Sequence, residues 1–315
     1  SEKIIATLKN AGHILGSSMI ELIVADSGKK IVFTGDLGNS PSPLLPDTEV
    51  VSDADYLVME SVYGDRNHEE REQRKKKLKD AIEETVKNRG VLLIPAFSIE
   101  RTQEIIFEIE NMMEGGSIPL VPVFLDSPLA IKVTEVYKKY SNYFKKEVQK
   151  AVRKGDGIFA FSQLHLTQDH RESQGIKKFE RPKIIIAGSG MSNGGRILGH
   201  EKEYLPDSST ILLIVGYQAP GSLGRELQDG AREAMIDETN VKVEARVESI
   251  TGYSAHKDMD HLIDFVSSVS DRVKKVFVVM GEPKSSTFLT QRLRDYLEVD
   301  ARAPQSEGEN TELDF

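Results

Sequence analysis

The chain is 315 residues long, 39% hydrophobic, and carries a formal net charge of −9 from 41 Lys+Arg against 50 Asp+Glu. That is enough apolar material for one large or two ordinary domains, and too much for a disordered chain. Cysteine is absent, which excludes disulfides, thiolate zinc sites, iron–sulfur clusters and a cysteine nucleophile, so any metal must be held by carboxylates and by the seven histidines.

Taken in chain order, short β-rich apolar runs that end in Gly or a polar residue predict buried strands at 31–33 and 56–59. A helix follows over 69–88, where Leu78, Ile82 and Val86 recur at spacing four against a charged opposite face. Next come a strand at 91–94 and a helix over 101–113 carrying Ile105, Ile106, Ile109 and Met112. A strand at 121–125 precedes a long Lys-rich helix over 131–152. Strands at 183–187 and 211–215, a short helix at 261–269 and a strand at 276–280 complete the pattern. Strands alternating with helices mean an α/β protein. The long helices concentrate between Asp65 and Met235, with strand-rich flanks. The acidic tail from Ala303 to Phe315 reads as a frayed end or a last edge strand. The Lys-rich stretches at 71–79, 138–139 and 145–146 read as solvated helix faces; in the first, Glu72 and Asp80 interleave with the bases. No apolar run approaches the ~18–20 residues that span a bilayer and no signal peptide is recognisable, so a cytoplasmic location without membrane partners is expected. The acidic balance argues against non-specific coating of nucleic acid, although it leaves room for a local basic channel.

Polar residues cluster where the predicted strands end: Asp36, Glu60, Ser98 and Arg101, Asp126 and Ser127, Ser189 and Gly190, and Gln218. In open α/β sheets the ligand crevice lies at those carboxyl ends. Four stretches each set one ionisable group among small residues: Ala11-Gly12-His13-Ile14-Leu15-Gly16-Ser17, Phe33-Thr34-Gly35-Asp36-Leu37-Gly38, Met59-Glu60-Ser61-Val62-Tyr63-Gly64-Asp65 and Gly252-Tyr253-Ser254-Ala255-His256. His13 and Asp36 suit a zinc site, an imidazole nitrogen beside a carboxylate able to bridge two ions. Glu60 and His256 suit a proton-transfer pair, in which the carboxylate orients the ring and raises its basicity. His68, His165, His170, His200 and His261 read as hydrogen-bonded core or surface residues. The run Gly188-x-Gly190-x-x-x-Gly194 mimics a dinucleotide fingerprint, but no acidic residue stands at the end of a following strand to support it.

Together these blocks resemble the metallo-β-lactamase superfamily in its β-CASP branch of RNA-processing nucleases, as found in bacterial and archaeal RNA degradation and in eukaryotic pre-mRNA 3′-end cleavage. Further matching blocks are Ile94-Pro95-Ala96-Phe97-Ser98-Ile99-Glu100-Arg101, Leu125-Asp126-Ser127-Pro128-Leu129-Ala130, the Gly-rich run from Ala187 to Arg196 and the run from Gly216 to Gly224. The resemblance implies a partial metallo-β-lactamase αββα sandwich with an inserted α/β β-CASP domain. The boundaries it implies are 1–64 for the end of the first lactamase half, 65–250 for the insertion and 251–315 for the return segment. It makes His13 a terminal zinc ligand, Asp36 the bridging carboxylate, Glu60 the acid that holds a histidine and His256 the proton donor to the leaving oxygen. RNA is the implied substrate, lying in a groove between the two domains, with Arg101, Ser189, Gly190 and Met191 meeting its phosphates. Backbone amides leaving a strand and a planar guanidinium fork suit that task.

Two departures qualify the match. The family's His-x-His-x-Asp-His cluster lies upstream of the His13 block, whereas only twelve residues precede His13 here and no such cluster occurs in the chain. The family's last ligand is a His in a Val-His-Gly-Glu block, which reads Val279-Met280-Gly281-Glu282 here. A thioether is a poor partner for Zn²⁺ beside imidazole and carboxylate. The expectation is therefore a piece of a larger zinc-dependent ribonuclease or a ligand-depleted form of one. The alternative is a catalytically silent subunit that grips RNA, forms a homodimer or pairs with an active partner. A chain lacking the first lactamase half is expected to leave apolar strand faces and edges uncovered and to aggregate when expressed alone.

Overall fold

The computed structural model describes residues 3–153, 157–304 and 313. Of the acidic tail, residues 305–312, 314 and 315 lie outside the described residues. The strands are β1 (Ile4–Asn10), β2 (Ser18–Val24), β3 (Lys29–Phe33), β4 (Tyr56–Glu60), β5 (Val91–Pro95), β6 (Val123–Asp126) and β7 (Leu164–Leu166). They continue with β8 (Lys183–Ala187), β9 (Thr210–Ile214), β10 (Glu233–Ile236), β11 (Thr239–Lys242), β12 (Arg246–Ser249), β13 (Lys275–Val279) and β14 (Ala301–Arg302). The helices are α1 (Arg71–Lys87), α2 (Arg101–Glu114), α3 (Pro128–Lys139), α4 (Lys146–Arg153), α5 (His170–Gly175), α6 (Arg196–Tyr204), α7 (Leu223–Gln228), α8 (Met259–Ser267) and α9 (Pro283–Leu297). The chain folds as two compact units: residues 1–68 with 255–315, and residues 69–254 inserted between them.

The first unit is a six-stranded sheet in the order β1-β2-β3-β4-β13-β14. Strands β1 to β3 form an antiparallel meander, and β4, β13 and β14 add on in parallel. Met19, Val32, Leu57, Val276 and Val278 pack against Leu262, Phe265 and Val266 of α8 and Leu289 and Leu293 of α9 to make its core. Burying each such side chain is worth roughly 1.5–3 kcal/mol. The parallel β4–β13 pair sets Glu60 opposite Val279, so Met280 follows at the same edge of the sheet as Glu60. The strand predicted to run to 280 stops one residue short, because Met280 adopts φ +62°, a left-handed conformation that cannot continue a strand.

The second unit is a parallel six-stranded sheet in the order β12-β9-β5-β8-β6-β7, with a separate β10–β11 hairpin. Every residue of β5, β8 and β9 is buried, the signature of a parallel sheet covered on both faces. The carboxyl ends of β5, β6, β8 and β9 therefore share one edge. The long helix expected over 131–152 is broken into α3 and α4 by a 3₁₀ turn at Ser141–Tyr143. The charged face of α1 is not wholly solvated either: Arg74 turns inward and donates to Glu108 Oε1 (2.8 Å) and to the Gly252 carbonyl (3.0 Å). Among the described residues, no helix is long and apolar enough to cross a membrane.

Strand β1 is an edge strand, and pairing in register aligns Leu8 with Ile20 and Ile20 with Phe33. All three are exposed, Leu8 to 69%, so an apolar row crosses one face of the sheet beside an edge that pairs with no further strand among the described residues. Such a surface promotes association. The chain on its own should therefore show an apparent mass that rises with concentration in size-exclusion chromatography with light scattering. The Leu8→Lys/Ile20→Lys double substitution should return it toward the monomer; a monomeric wild-type chain at all concentrations would refute this.

Candidate active site

Glu60, at the end of β4, is the anchor of the first unit's polar cluster. Its carboxylate is fully buried, and a buried carboxylate is costly unless its oxygens are hydrogen-bonded. Oε1 accepts the Leu37 N–H at 2.5 Å, and the two oxygens lie 3.1 and 3.0 Å from His256 Nδ1. The Glu60 N–H in turn donates to Thr34 Oγ1 (3.2 Å). A protonated Nδ1 facing Glu60 makes Nε2 the basic nitrogen of His256.

Three backbone segments converge on this pair. Leu37 accepts the Lys257 N–H (2.9 Å), Ala255 accepts the Asn39 N–H (2.7 Å), and Gly38 forms a bridge with His256. Residue 38 must be glycine, since a Cβ there would lie 2.0 Å from the Gly12 carbonyl oxygen. The loop carrying His13 is tied off by Ser17 Oγ, which accepts the N–H groups of His13 (3.1 Å) and Ile14 (3.2 Å). His13 Nδ1 meets the Ala255 carbonyl at 3.2 Å. A carbonyl can only accept, so Nδ1 donates and Nε2 carries the lone pair.

The sequence-predicted residues of this unit thus come together. His13 Nε2 is 3.7 Å from Asp36 Oδ2, and the His13 and His256 rings are 4.5 Å apart. One ligand atom from each of His13, Asp36 and His256 falls within 4.8 Å of the others. Of these, the His13 imidazole and the Asp36 carboxylate are donor types that zinc takes, so these two fit the metal, while His256 is held through Nδ1 by Glu60. Met280 is 60% exposed.

Sequence reasoning read His68 as a hydrogen-bonded core or surface residue and did not single out Asp258, yet both support His256. His68 Nε2 donates to the His256 carbonyl (2.9 Å), while the His68 N–H donates to Asp258 Oδ2 (3.1 Å). His261 Nδ1 reaches Asp258 Oδ1 at 2.6 Å. Burial works to raise the Asp258 carboxyl, but hydrogen bonds from His261 and from the His68 and His261 amides prevail and bring it to about 2. Nothing in the local sequence around His68 marks this role.

The residues predicted for phosphate contact all lie in the second unit, at the carboxyl edge of its sheet. Ser189, Gly190 and Met191 form the turn between β8 and α6. The Ser189 N–H is not available to an anion, since it donates to the Gly194 carbonyl (3.1 Å). The Met191 N–H faces Ser189 Oγ at 3.4 Å. Among the described residues the Gly190 N–H has no acceptor. Arg101 opens α2, is buried and donates Nη1–H to Glu104, which engages one edge of its guanidinium. Asp126 is an anchor for the turn's helix: fully buried, it accepts from His200 Nε2 (2.7 Å), Arg196 (2.6 Å), Thr167 (2.6 Å) and Ser173 (2.6 Å). Burial opposes ionisation of Asp126, but these bonds hold its carboxyl well below the usual range.

Residues 102–227 match the family described as the Beta-Casp domain, and residues 240–304, which include His256, match the Zn-dependent metallo-hydrolase RNA specificity domain. Over 309 residues the chain is 34% identical to the transcription termination factor FttA of Pyrococcus horikoshii, spanning 95% of this chain and 47% of that relative. It is 34% identical over 272 residues to Ribonuclease TTHA0252 of Thermus thermophilus, spanning 86% of this chain and 61% of the relative. An RNase J-like protein of Methanocaldococcus jannaschii is 33% identical over 298 residues, spanning 94% and 68%. The chain therefore spans about half the length of the archaeal termination factors it matches.

One buried acid bonded to the segment between β8 and α6 carries a pH signature. Glu201 on α6 is fully buried and accepts the Ser192 Oγ–H at 2.5 Å. Burial pushes its carboxyl from an ordinary 4.5 up to about 8, against the opposing hydrogen bond from Ser192. A folded-state value above the unfolded one means that this contribution to stability is whole below about pH 4.5 and is lost as pH rises toward about 8. The urea midpoint should fall across that window by an amount worth a few kcal/mol at most. Glu201→Gln should flatten that part of the profile; an identical slope in the variant would show that Glu201 is not the titrating group.

Proposed function

The chain belongs to the β-CASP family of metallo-β-lactamase-type RNA-processing hydrolases, and we propose that it carries the proton-transfer half, and part of the metal-binding half, of a zinc-dependent ribonuclease site. The carrying observation is the buried Glu60 holding His256 at 3.0 Å, with the His13 ring 4.5 Å from that imidazole. His13 and Asp36 would hold zinc, which when bound supplies Lewis acidity toward the phosphodiester and a nucleophile at neutral pH. The Ala255 carbonyl fixes the His13 ring so that Nε2 points its lone pair away from the backbone. Glu60 fixes the tautomer of His256 and stabilises its protonated form, so that Nε2–H can be delivered to the departing ribose oxygen. His68 holds the His256 backbone through its carbonyl. In the second unit, Gly190 would donate its amide to a phosphate oxygen, with the neighbouring Ser189 and Met191 shaping the turn. Arg101 would add the guanidinium N–H groups that Glu104 does not engage.

A second reading is favoured by Met280, which stands exposed where the family places its last histidine ligand. With a soft, neutral thioether there, the same chain would grip RNA or pair with an active subunit without cutting. Zinc content and cleavage of single-stranded RNA, measured on the protein that carries this chain, separate the two. The first reading expects bound zinc and cleavage that His256→Ala lowers at least about 100-fold while leaving the zinc content unchanged. Undiminished cleavage in the variant would remove His256 from the mechanism, and RNA binding without zinc or cleavage in the wild type would favour the silent subunit.

A further inference from the structure

At the carboxyl edge of the second unit's sheet lies an aromatic ring that the proposed chemistry does not use. Phe97 follows β5 and is 40% exposed, and Ile99, two residues on in the chain, is exposed as well. Its ring rests on two glycines. A Cβ added at Gly190 would lie 2.7 Å from Phe97 Cδ2, and one at Gly216 would lie 3.3 Å from Cε2. Any side chain at Gly190 would therefore push the ring away, so glycine is needed there for close approach. Both glycines are held by one side chain: the buried Gln218 donates Nε2–H to the Gly190 carbonyl (2.9 Å) and to the Gly216 carbonyl (3.3 Å). The backbone of Phe97 is fixed as well, because its carbonyl accepts the Thr102 hydroxyl (2.8 Å) and the Thr102 N–H (3.3 Å) at the start of α2.

The result is a rigid aromatic surface packed against the residue whose N–H has no acceptor among the described residues. Its neighbours on the same edge are hydroxyls: Ser98 and Ser127 Oγ lie 3.4 Å apart, and both are within 3.6 Å of where a Gly188 Cβ would stand. An exposed ring on a fixed base, an amide donor touching it and hydroxyls beside it match a nucleotide, whose flat base stacks and whose phosphate and sugar accept hydrogen bonds. A protein partner would instead call for a wider continuous apolar patch.

We infer that Phe97 is a stacking platform for one nucleobase of the RNA, with Gln218 acting as the positioning residue that holds the ring against the Gly190 turn. The inference rests on RNA being the substrate and adds to that reading the place where a base is held. Because every base has a π-face, this platform selects for single-stranded RNA and tolerates any sequence.

The test is a binding cycle on the intact protein with metal removed by chelator, so that no RNA is cut. The probes are a fluorescein-labelled adenosine 10-mer and a 10-mer of the same ribose–phosphate backbone without bases. Phe97→Leu should weaken binding of the adenosine oligomer about 5- to 100-fold. It should barely alter binding of the abasic one, and should leave the salt dependence unchanged because no phosphate contact is lost. Equal losses on both oligomers would overturn the platform while leaving RNA binding intact. No binding of either oligomer by the wild type would overturn the platform and the RNA reading together. A second arm does not depend on the leucine variant folding. The chain has no tryptophan, so Phe97→Trp introduces a single indole. Its emission should be quenched by the adenosine oligomer and not by the abasic one; emission that stays unchanged when the adenosine oligomer binds would overturn the proposal.

Discussion

A carboxylate closed off from water organises the first unit. Glu60 has no solvent to satisfy it, so the Leu37 amide and the His256 ring must do so. Those partners come from opposite ends of the unit: His256 is 196 residues from Glu60 in sequence, with the whole second unit in between. Meeting this requirement draws the loop after β3 and the segment after the insertion onto the end of β4. The same convergence sets His13 and Asp36 beside the pair. Removing either partner would leave a buried polar group unmatched, at a cost of several kcal/mol for a charge, so the site's geometry and the unit's stability share one set of bonds.

The second unit solves a different problem by similar means. A parallel sheet sends several strand ends to one edge, where the turns need side chains to fix their backbone. Asp126 does this from below, gathering His200, Arg196, Thr167 and Ser173 and so fixing the start of α6. Gln218 does it from the side, through the carbonyls of Gly190 and Gly216. Each of these side chains acts by holding backbone in place.

Much of this was legible in the residues. The strands 56–59, 91–94 and 183–187 announced themselves because buried parallel strands are continuous apolar runs, and the four blocks around His13, Asp36, Glu60 and His256 stood out as ionisable groups among small residues. Strands β1 and β2 escaped because Thr7, Lys9 and Glu21 interrupt their apolar runs. The break between α3 and α4 escaped because Tyr140 and Phe144 keep the helical spacing through a segment that turns instead. Ser189 shows a sharper limit. Strand-then-glycine spacing suggests amides aimed at an anion, but only coordinates reveal that its N–H closes the turn on Gly194. The supporting role of His68 depends on a backbone carbonyl 188 residues away, which no local pattern records.

The claim under most of this account is that Glu60 and the Ala255 carbonyl each hold one imidazole by Nδ1 and leave Nε2 for chemistry. Nitrogen-15 NMR of the histidine rings during a zinc titration tests it directly. The account predicts that His13 Nε2 shifts to a coordinated position on adding zinc while His256 keeps a proton on Nδ1 throughout. A His13 ring that ignores zinc, or a His256 ring protonated on Nε2 alone, would contradict it.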